Sequence, residues 1–248
     1  VGFAVIVFQM VLLRDRLRGR GMWWVWLCVA DKPVVPVFST DFVYRIPSGC
    51  GDVDFADDGV ARTLVESVYG NVNCSGVELG DLYRYAKVYT EGGVYLDTDT
   101  NCVVPPSGWL ATWKLTGQFD LIVGVEFYKP LQFVQWAFQG KRHSVVLQHV
   151  IETVKGRLEL YAPGADPIQR TGPGVWTLAI LKMLRDAGVE RPYVSDHFAR
   201  VHSFEYKNSS VRIAMLPYRA FGYHGFHGPR VKECCKRLVT HNFRGSWK

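Results

Sequence analysis

The stretch that most constrains this chain runs from a helical stripe, through two glycines, into an apolar strand that ends on aspartates. Leu79, Leu82, Tyr83 and Ala86 recur at i, i+3, i+4 and i+7. That spacing predicts a core-facing helix over about residues 77–90. Gly92-Gly93 stops it, and "VYLDTDT" reads as a buried strand that carries Asp97 and Asp99 toward the edge of a sheet. Edges of this kind are where α/β proteins place ligands. If the strand persists to residue 99, both carboxylates share one side, about 6–7 Å apart. Two like charges so placed repel unless water, a cation or a basic partner offsets them. Helix, glycine turn and strand together predict the α/β class.

Composition narrows the partners. Of 248 residues, 48% are hydrophobic and 21% charged, which describes an ordered chain with a sizeable core. The formal charge is +6, and it is clustered. Residues 230–248 hold six basic side chains against one acid, and Arg14, Arg16, Arg18 and Arg20 surround Asp15. Such clusters suit a phosphate-bearing substrate, an anionic membrane or nucleic acid. No zinc-finger spacing or basic-aromatic repeat supports nucleic acid, so it is not expected as a partner. The six cysteines fit no metal-binding spacing.

Residues 1–30 form a separate apolar and basic segment, "VGFAVIVFQMVLL", "RDRLRGR" and "GMWWVWLCVA". Neither apolar run reaches the length of a spanning helix. The segment reads either as the remnant of a membrane anchor or as two buried strands flanking a basic loop. The chain opens on Val1 in place of methionine, as a truncated or processed product would. Residues 31–248 read as one domain. Within it "KPVVPVFSTDFVYRI" is extended, "PSGCGDVDFADDG" is a polar turn and "VARTLVESVYG" is a short helix. "FDLIVGVEF" is a strand with "LQFVQWAFQG" packed after it, and "SVVLQHVIETVKG" is a helix. "YAPGADPIQRTGPG" is a loop, "VWTLAILKMLRDAG" is a helix closed by Gly188, and the tail alternates short extended pieces.

An isolated D-x-D is most simply a turn cap, since Thr98, Thr100 and Asn101 favour one. At a sheet edge the same pair can anchor a hard divalent cation such as Mn²⁺ or Mg²⁺ and leave positions for a diphosphate. Asp81 and Arg84 lie three apart on the helix that feeds this strand. They could serve a sugar phosphate, the arginine at phosphate and the carboxylate at hydroxyls. The plainer account is a surface i,i+3 ion pair.

"ELGDLYRYAKVYTEGGVYLDTDT" resembles the signature region of glycosyltransferase family 32: an acid, an arginine-tyrosine pair, two glycines and the D-x-D. "LQFVQWAFQGKRH", "TGPGVWT" and "THNFRGSWK" are similar to blocks of its initiation-specific α-1,6-mannosyltransferases of the Golgi. The resemblance implies a GT-A-like single domain with a central mixed sheet flanked by helices. It also implies Mn²⁺ or Mg²⁺, a nucleotide-sugar donor such as GDP-mannose, and retention of configuration. By the same resemblance Asp97 lies near the ribose and sugar, Asp99 is the firmer metal ligand, and His241 reaches the metal or diphosphate. Asp81 would hold donor hydroxyls and Arg84 would sit at the sugar–phosphate junction. Thr171, Gly172 and Gly174 would border donor and acceptor, and Ser246 with Trp247 would close over the diphosphate.

The chain departs from that pattern at Gly80, where serine or alanine is usual, and at its N-terminus, which does not reproduce the opening strand of the nucleotide floor. The expected activity is transfer of mannose from GDP-mannose to a hydroxyl of a mannose-terminated oligosaccharide, with the leaving diphosphate as base. The expected place is the Golgi membrane, with the catalytic domain in the lumen and membrane association through the N-terminus of the full-length protein. The alternatives are another nucleotide sugar, a glycolipid acceptor, or a catalytically silent glycan-binding scaffold. Glu126 reads either as an acceptor contact or as a strand-end residue without chemistry.

Overall fold

The computed structural model describes residues 26–27, 74–97, 100–189, 198–221 and 237–241. The extended segment after Asp31, the acidic turn, the helix over 60–70, Asp99, Ser246 and Trp247 lie outside the described residues.

The first described helix, α1 (Gly76–Glu91), begins on a capping box. The Ser75 hydroxyl accepts from the Glu78 amide, and the Glu78 carboxylate accepts from the Ser75 amide at 2.6 Å. All four residues of the expected stripe are buried, but so are Asp81, Tyr85 and Val88. The helix is enclosed on more than one face. Gly92 ends it at φ 74°, and a β-carbon there would lie 2.7 Å from the Arg142 amide nitrogen. Only glycine turns the chain so tightly into strand β2 (Gly93–Leu96).

Among the described residues the central sheet has six strands. It joins β1 (Trp26–Leu27), β2, β4 (Leu121–Tyr128), β5 (Leu131–Gly140), β6 (Arg200–Tyr206) and β7 (Ser209–Leu216) in the order β1-β2-β5-β4-β7-β6. The β4–β7 pair is parallel and the others antiparallel, so the sheet is mixed. A separate two-stranded sheet pairs β3 (Thr100–Cys102) with β8 (Val239–His241). Among the described residues the α-helices are α1, the short α2 (Trp109–Thr112), α3 (Val145–Leu160), the single turn α4 (Pro167–Arg170) and α5 (Pro173–Asp186). The part expected to be loop at 161–174 thus contains α4. Asp166 caps it by accepting from the Ile168 amide, with Pro167 at its first position.

Both faces of the sheet are covered. Helices α1, α3 and α5 pack Leu82, Val150, Trp176 and Met183 on Tyr95, Val123, Phe138 and Ile213. On the other face Trp109, Phe221 and Leu238 cover Val94, Ile122, Trp136 and Leu216. Alternation along the strands divides the two cores. Trp136 and Ala137, neighbours in sequence, both join the second core, and there the β4–β5 register shifts. The bulge sends Gln135 toward α1 and Trp136 the opposite way. The result is an α/β domain with a central mixed sheet flanked by helices, consistent with the GT-A-like expectation.

The strand expected to run to residue 99 ends at Leu96. The Asp97 amide still donates to the Trp136 carbonyl, 2.8 Å away. The Asp97 carbonyl then accepts both the Thr100 amide (3.1 Å) and the Thr100 hydroxyl (2.6 Å), which turns the chain out of the sheet into β3. Among the described residues no helix is long and apolar enough to cross a membrane.

Candidate functional site

Arg84 is the centre of the candidate site. Its Nη2 lies 3.2 Å from Asp81 Oδ1 and its Nη1 3.1 Å from Asp97 Oδ1. The same nitrogen donates to the Gln135 carbonyl at 3.4 Å, and Nε donates to the Gly80 carbonyl. The guanidinium carbon stands 4.7 Å from the centre of the Tyr95 ring. Its side chain is 11% exposed and that of Asp81 5%, so the plain reading of a surface ion pair does not hold. The helix carries both residues into the protein because it is covered on the sheet side and at its flank.

Asp81 faces inward. Its Oδ1 accepts from Gln135 Nε2 at 3.0 Å, and its Oδ2 accepts from the Thr171 hydroxyl at 2.9 Å. Tyr85 closes this network by donating to the Thr171 carbonyl at 2.9 Å and accepting from Gln135 Nε2. Asp97 is the more open of the two acids, with its side chain 27% exposed. Its Oδ1 accepts from the Tyr95 hydroxyl at 2.7 Å, and its Oδ2 lies 3.6 Å from His241 Nε2. His241 is held there by the β3–β8 pairing, opposite Thr100, and its ring lies 4.6 Å from that of Trp136.

One guanidinium serves both acids, but burial and their other partners set their titrations apart. Burial raises the Asp81 carboxyl to about 6, and Arg84, Thr171 and Gln135 only partly offset it. Burial acts the same way on Asp97, but Arg84, His241 and Tyr95 outweigh it and hold that carboxyl below its usual range. Burial opposes the charge on Arg84, whereas Asp97, Tyr95 and Asp81 together hold it above its ordinary value. The site therefore keeps a permanent Arg84–Asp97 ion pair beside an acid poised to change charge in mildly acidic solution.

The raised Asp81 value makes a signed prediction. The folded protein holds this proton more tightly than the unfolded chain, whose value is near 3.8. The stability the group contributes is therefore complete below about pH 4 and is lost as pH rises through about 6, by up to about 3 kcal/mol. Asp81→Asn removes that titration. The stability of the native protein relative to the variant, measured by urea denaturation, should fall between pH 4 and 7; an unvarying difference would refute the shift.

Of the residues expected at the site, the structure brings together Asp81, Arg84, Asp97, Thr171 and His241. Gly172 is close by: a β-carbon on it would lie 3.4 Å from Asp81 Oδ2 and 3.0 Å from Ile168 Cα. Gly174, in the first turn of α5, is closely packed: a β-carbon on it would lie 2.7 Å from the Ile168 carbonyl oxygen and 2.8 Å from Gln169 Nε2. Gln135, Tyr85, Tyr95 and Trp136 were not foreseen. Gln135 was readable as the polar residue inside an apolar strand, and Tyr95 as the residue two before Asp97.

For a cation, Asp97 Oδ2 and His241 Nε2 form a carboxylate–imidazole pair whose 3.6 Å spacing suits two ligands of one ion. Among the described residues no group of three or more histidine, cysteine, aspartate or glutamate side chains is gathered to hold a metal. Asp99, expected to be the firmer ligand, lies outside the described residues.

Residues 53–116 match the family described as glycosyltransferase sugar-binding region containing DXD motif. The initiation-specific alpha-1,6-mannosyltransferase of Schizosaccharomyces pombe is 24% identical over 222 residues, 77% of this chain and 55% of that protein. The protein of the same name in Candida albicans is 26% identical over 133 residues, 43% of this chain and 34% of that one. The chain thus spans about half the length of the first of these relatives and about a third of the second. Among solved structures, the PaToxG glycosyltransferase aligns over 50% of this chain and 40% of its own, with a TM-score of 0.38 and 15% identity. The buried acid–arginine pair, the glycine turn and Asp97 thus lie within a sequence region related to the sugar-binding region of DXD-containing glycosyltransferases.

Proposed function

We propose that this chain is a metal-dependent, retaining glycosyltransferase that moves mannose from GDP-mannose to a hydroxyl of a mannose-terminated glycan, with an α-1,6 link as the product. The observation that carries the reading is Arg84, a charged fork held between Asp81 and Asp97 at the end of β2. A fixed guanidinium in a partly dry site suits a phosphate that gains charge as its bond to the sugar breaks. The names of the two yeast relatives favour mannose and the α-1,6 link, and Golgi residence comes with the resemblance stated above.

In this reading Asp97 and His241, with Asp99, would hold Mn²⁺ or Mg²⁺, which would supply Lewis-acid stabilisation to the diphosphate. Arg84 pairs with the phosphate nearest the sugar. Asp81 and Thr171, bonded to each other, would border the donor sugar beside the Gly172 turn, and by the resemblance Ser246 and Trp247 would close over the diphosphate. The acceptor hydroxyl attacks the anomeric carbon on the face that the diphosphate leaves. The electron pair of the broken bond departs with the diphosphate, which also takes the hydroxyl proton. The runner-up, a glycan-binding scaffold without turnover, is favoured by the occupied state of both Asp81 oxygens.

A donor panel of GDP-mannose, UDP-glucose, UDP-galactose and UDP-N-acetylglucosamine, with mass detection of glycan products, tests the reading. The expected result is Mn²⁺-stimulated release of GDP from GDP-mannose, faster with a mannose-terminated oligosaccharide than with water. Product from a UDP-sugar alone would reject mannose. Binding without turnover would select the scaffold.

A further inference from the structure

We propose that Glu126, held by Gln132 and Trp136, is the acceptor-binding group of this site, accepting a hydrogen bond from a hydroxyl of the incoming sugar. The proposal rests on the glycosyltransferase reading above and assigns its acceptor side. Glu126 lies near the end of β4, where five buried residues give way to half-buried and exposed ones. Its two oxygens are held separately from β5: Oε2 accepts from Gln132 Nε2 at 2.8 Å and Oε1 from the Trp136 indole nitrogen at 3.2 Å. A carboxylate has roughly four lone-pair positions, so two fixed donors orient it and leave acceptor capacity.

The position links Glu126 to the donor site through a single side chain. Trp136 donates to Glu126 and packs its ring 4.6 Å from His241, whose Nε2 is 3.6 Å from Asp97 Oδ2. Trp136 is 7% exposed and also meets Phe221 edge-on, so this spacing is set by the second core. Among the described residues no lysine or arginine pairs with Glu126, in contrast to Asp97. A half-buried carboxylate kept in place by neutral donors gains from a neutral hydroxyl, whereas a phosphate would be repelled. Next to it Phe127 is 48% exposed, an apolar neighbour suited to the C–H surface of a sugar ring. Burial also raises the Glu126 carboxyl above its ordinary value, against the pull of Gln132 and Trp136.

The test uses GDP-mannose with methyl α-mannopyranoside as the acceptor probe, following transfer to the probe and transfer to water in the same reaction. In Glu126→Ala the ratio of transfer to hydrolysis should fall at least tenfold, with the KM for the methyl mannoside rising far more than that for GDP-mannose. Gln132→Ala keeps the carboxylate but frees one oxygen, and it should shift the ratio the same way by a smaller factor. It also keeps the proposal testable if Glu126→Ala does not fold. In saturation-transfer NMR with GDP present, the methyl mannoside signal seen for the native protein should be lost in Glu126→Ala. Equal falls in transfer and hydrolysis would show a structural role and overturn the assignment. A native protein that hydrolyses GDP-mannose, with both variants partitioning as it does, would overturn the acceptor role alone. A native protein that neither binds nor hydrolyses any sugar nucleotide would remove the enzyme reading and this assignment with it.

Discussion

Replacing Arg84 with alanine should destabilise the protein by about 3–5 kcal/mol and lower turnover by about a hundredfold to a thousandfold. The guanidinium is the shared partner of Asp81 and Asp97 and lies over the Tyr95 ring. Without it, two carboxylates are left in one partly dry site where, among the described residues, they have only neutral donors and His241 as partners. Asp81, already raised to about 6, would rise further and take up a proton. Part of the lost stability should therefore return on acidification from pH 7 to 5, a sign opposite to ordinary acid denaturation. Arg84→Lys keeps one charge but cannot reach both acids with a planar fork. It should recover more stability than activity. Urea denaturation at the two pH values and steady-state turnover of GDP-mannose check these effects. A variant as stable as the native protein at pH 7 would show that the two acids do not depend on Arg84.

The second large effect is expected at Arg170. Its Nη1 lies 2.6 Å from Glu78 Oε1, and the two side chains are 1% and 3% exposed. Arg170→Met leaves the Glu78 carboxylate buried without its cation, which should cost about 3–5 kcal/mol. Glu78 also caps α1 through Ser75, so its replacement must preserve that bond. Glutamine does, because the capping box accepts either residue at this position. The double variant Arg170→Met with Glu78→Gln should thus be clearly more stable than Arg170→Met alone. Arg170 directly precedes Thr171, so the single variant should also loosen the Thr171 bond to Asp81. Urea denaturation of the four proteins in a double-mutant cycle measures the coupling, and additive effects would deny it.

The course of the main chain was legible wherever a local pattern decided it. The α1 helix, its stop at Gly92-Gly93, the strand after Asp120 and the two later helices follow from periodicity and breakers, whereas "LQFVQWAFQG" was legible only as a packed apolar stretch. The short α4 was not seen, although Asp166-Pro167 is a start signal, because glycine and proline on both sides read as loop. At the site, Asp81, Arg84 and Asp97 stood out by chemistry, but their burial did not. A helix face that looks polar in sequence can be internal when a bulged strand brings a glutamine to meet it, as Gln135 does. Such pairings depend on register between distant strands, and no local pattern encodes them.

The pairing of β8 with β3 has a consequence for the order in which the molecule comes into being. Thr100 and His241 face each other across a two-stranded ladder, although about half of the chain is synthesised between them. A ribosome extends a chain from its N-terminus, and domains organise as their segments emerge. The main sheet can assemble once β7 is out, but the imidazole beside Asp97 arrives only with residues 238–241. Closing so long a loop is entropically slow, so this contact should be among the last to form. A growing chain that has emerged only to residue 221 has the Arg84 clamp but lacks His241, and a nascent protein cannot use that contact before this late strand joins.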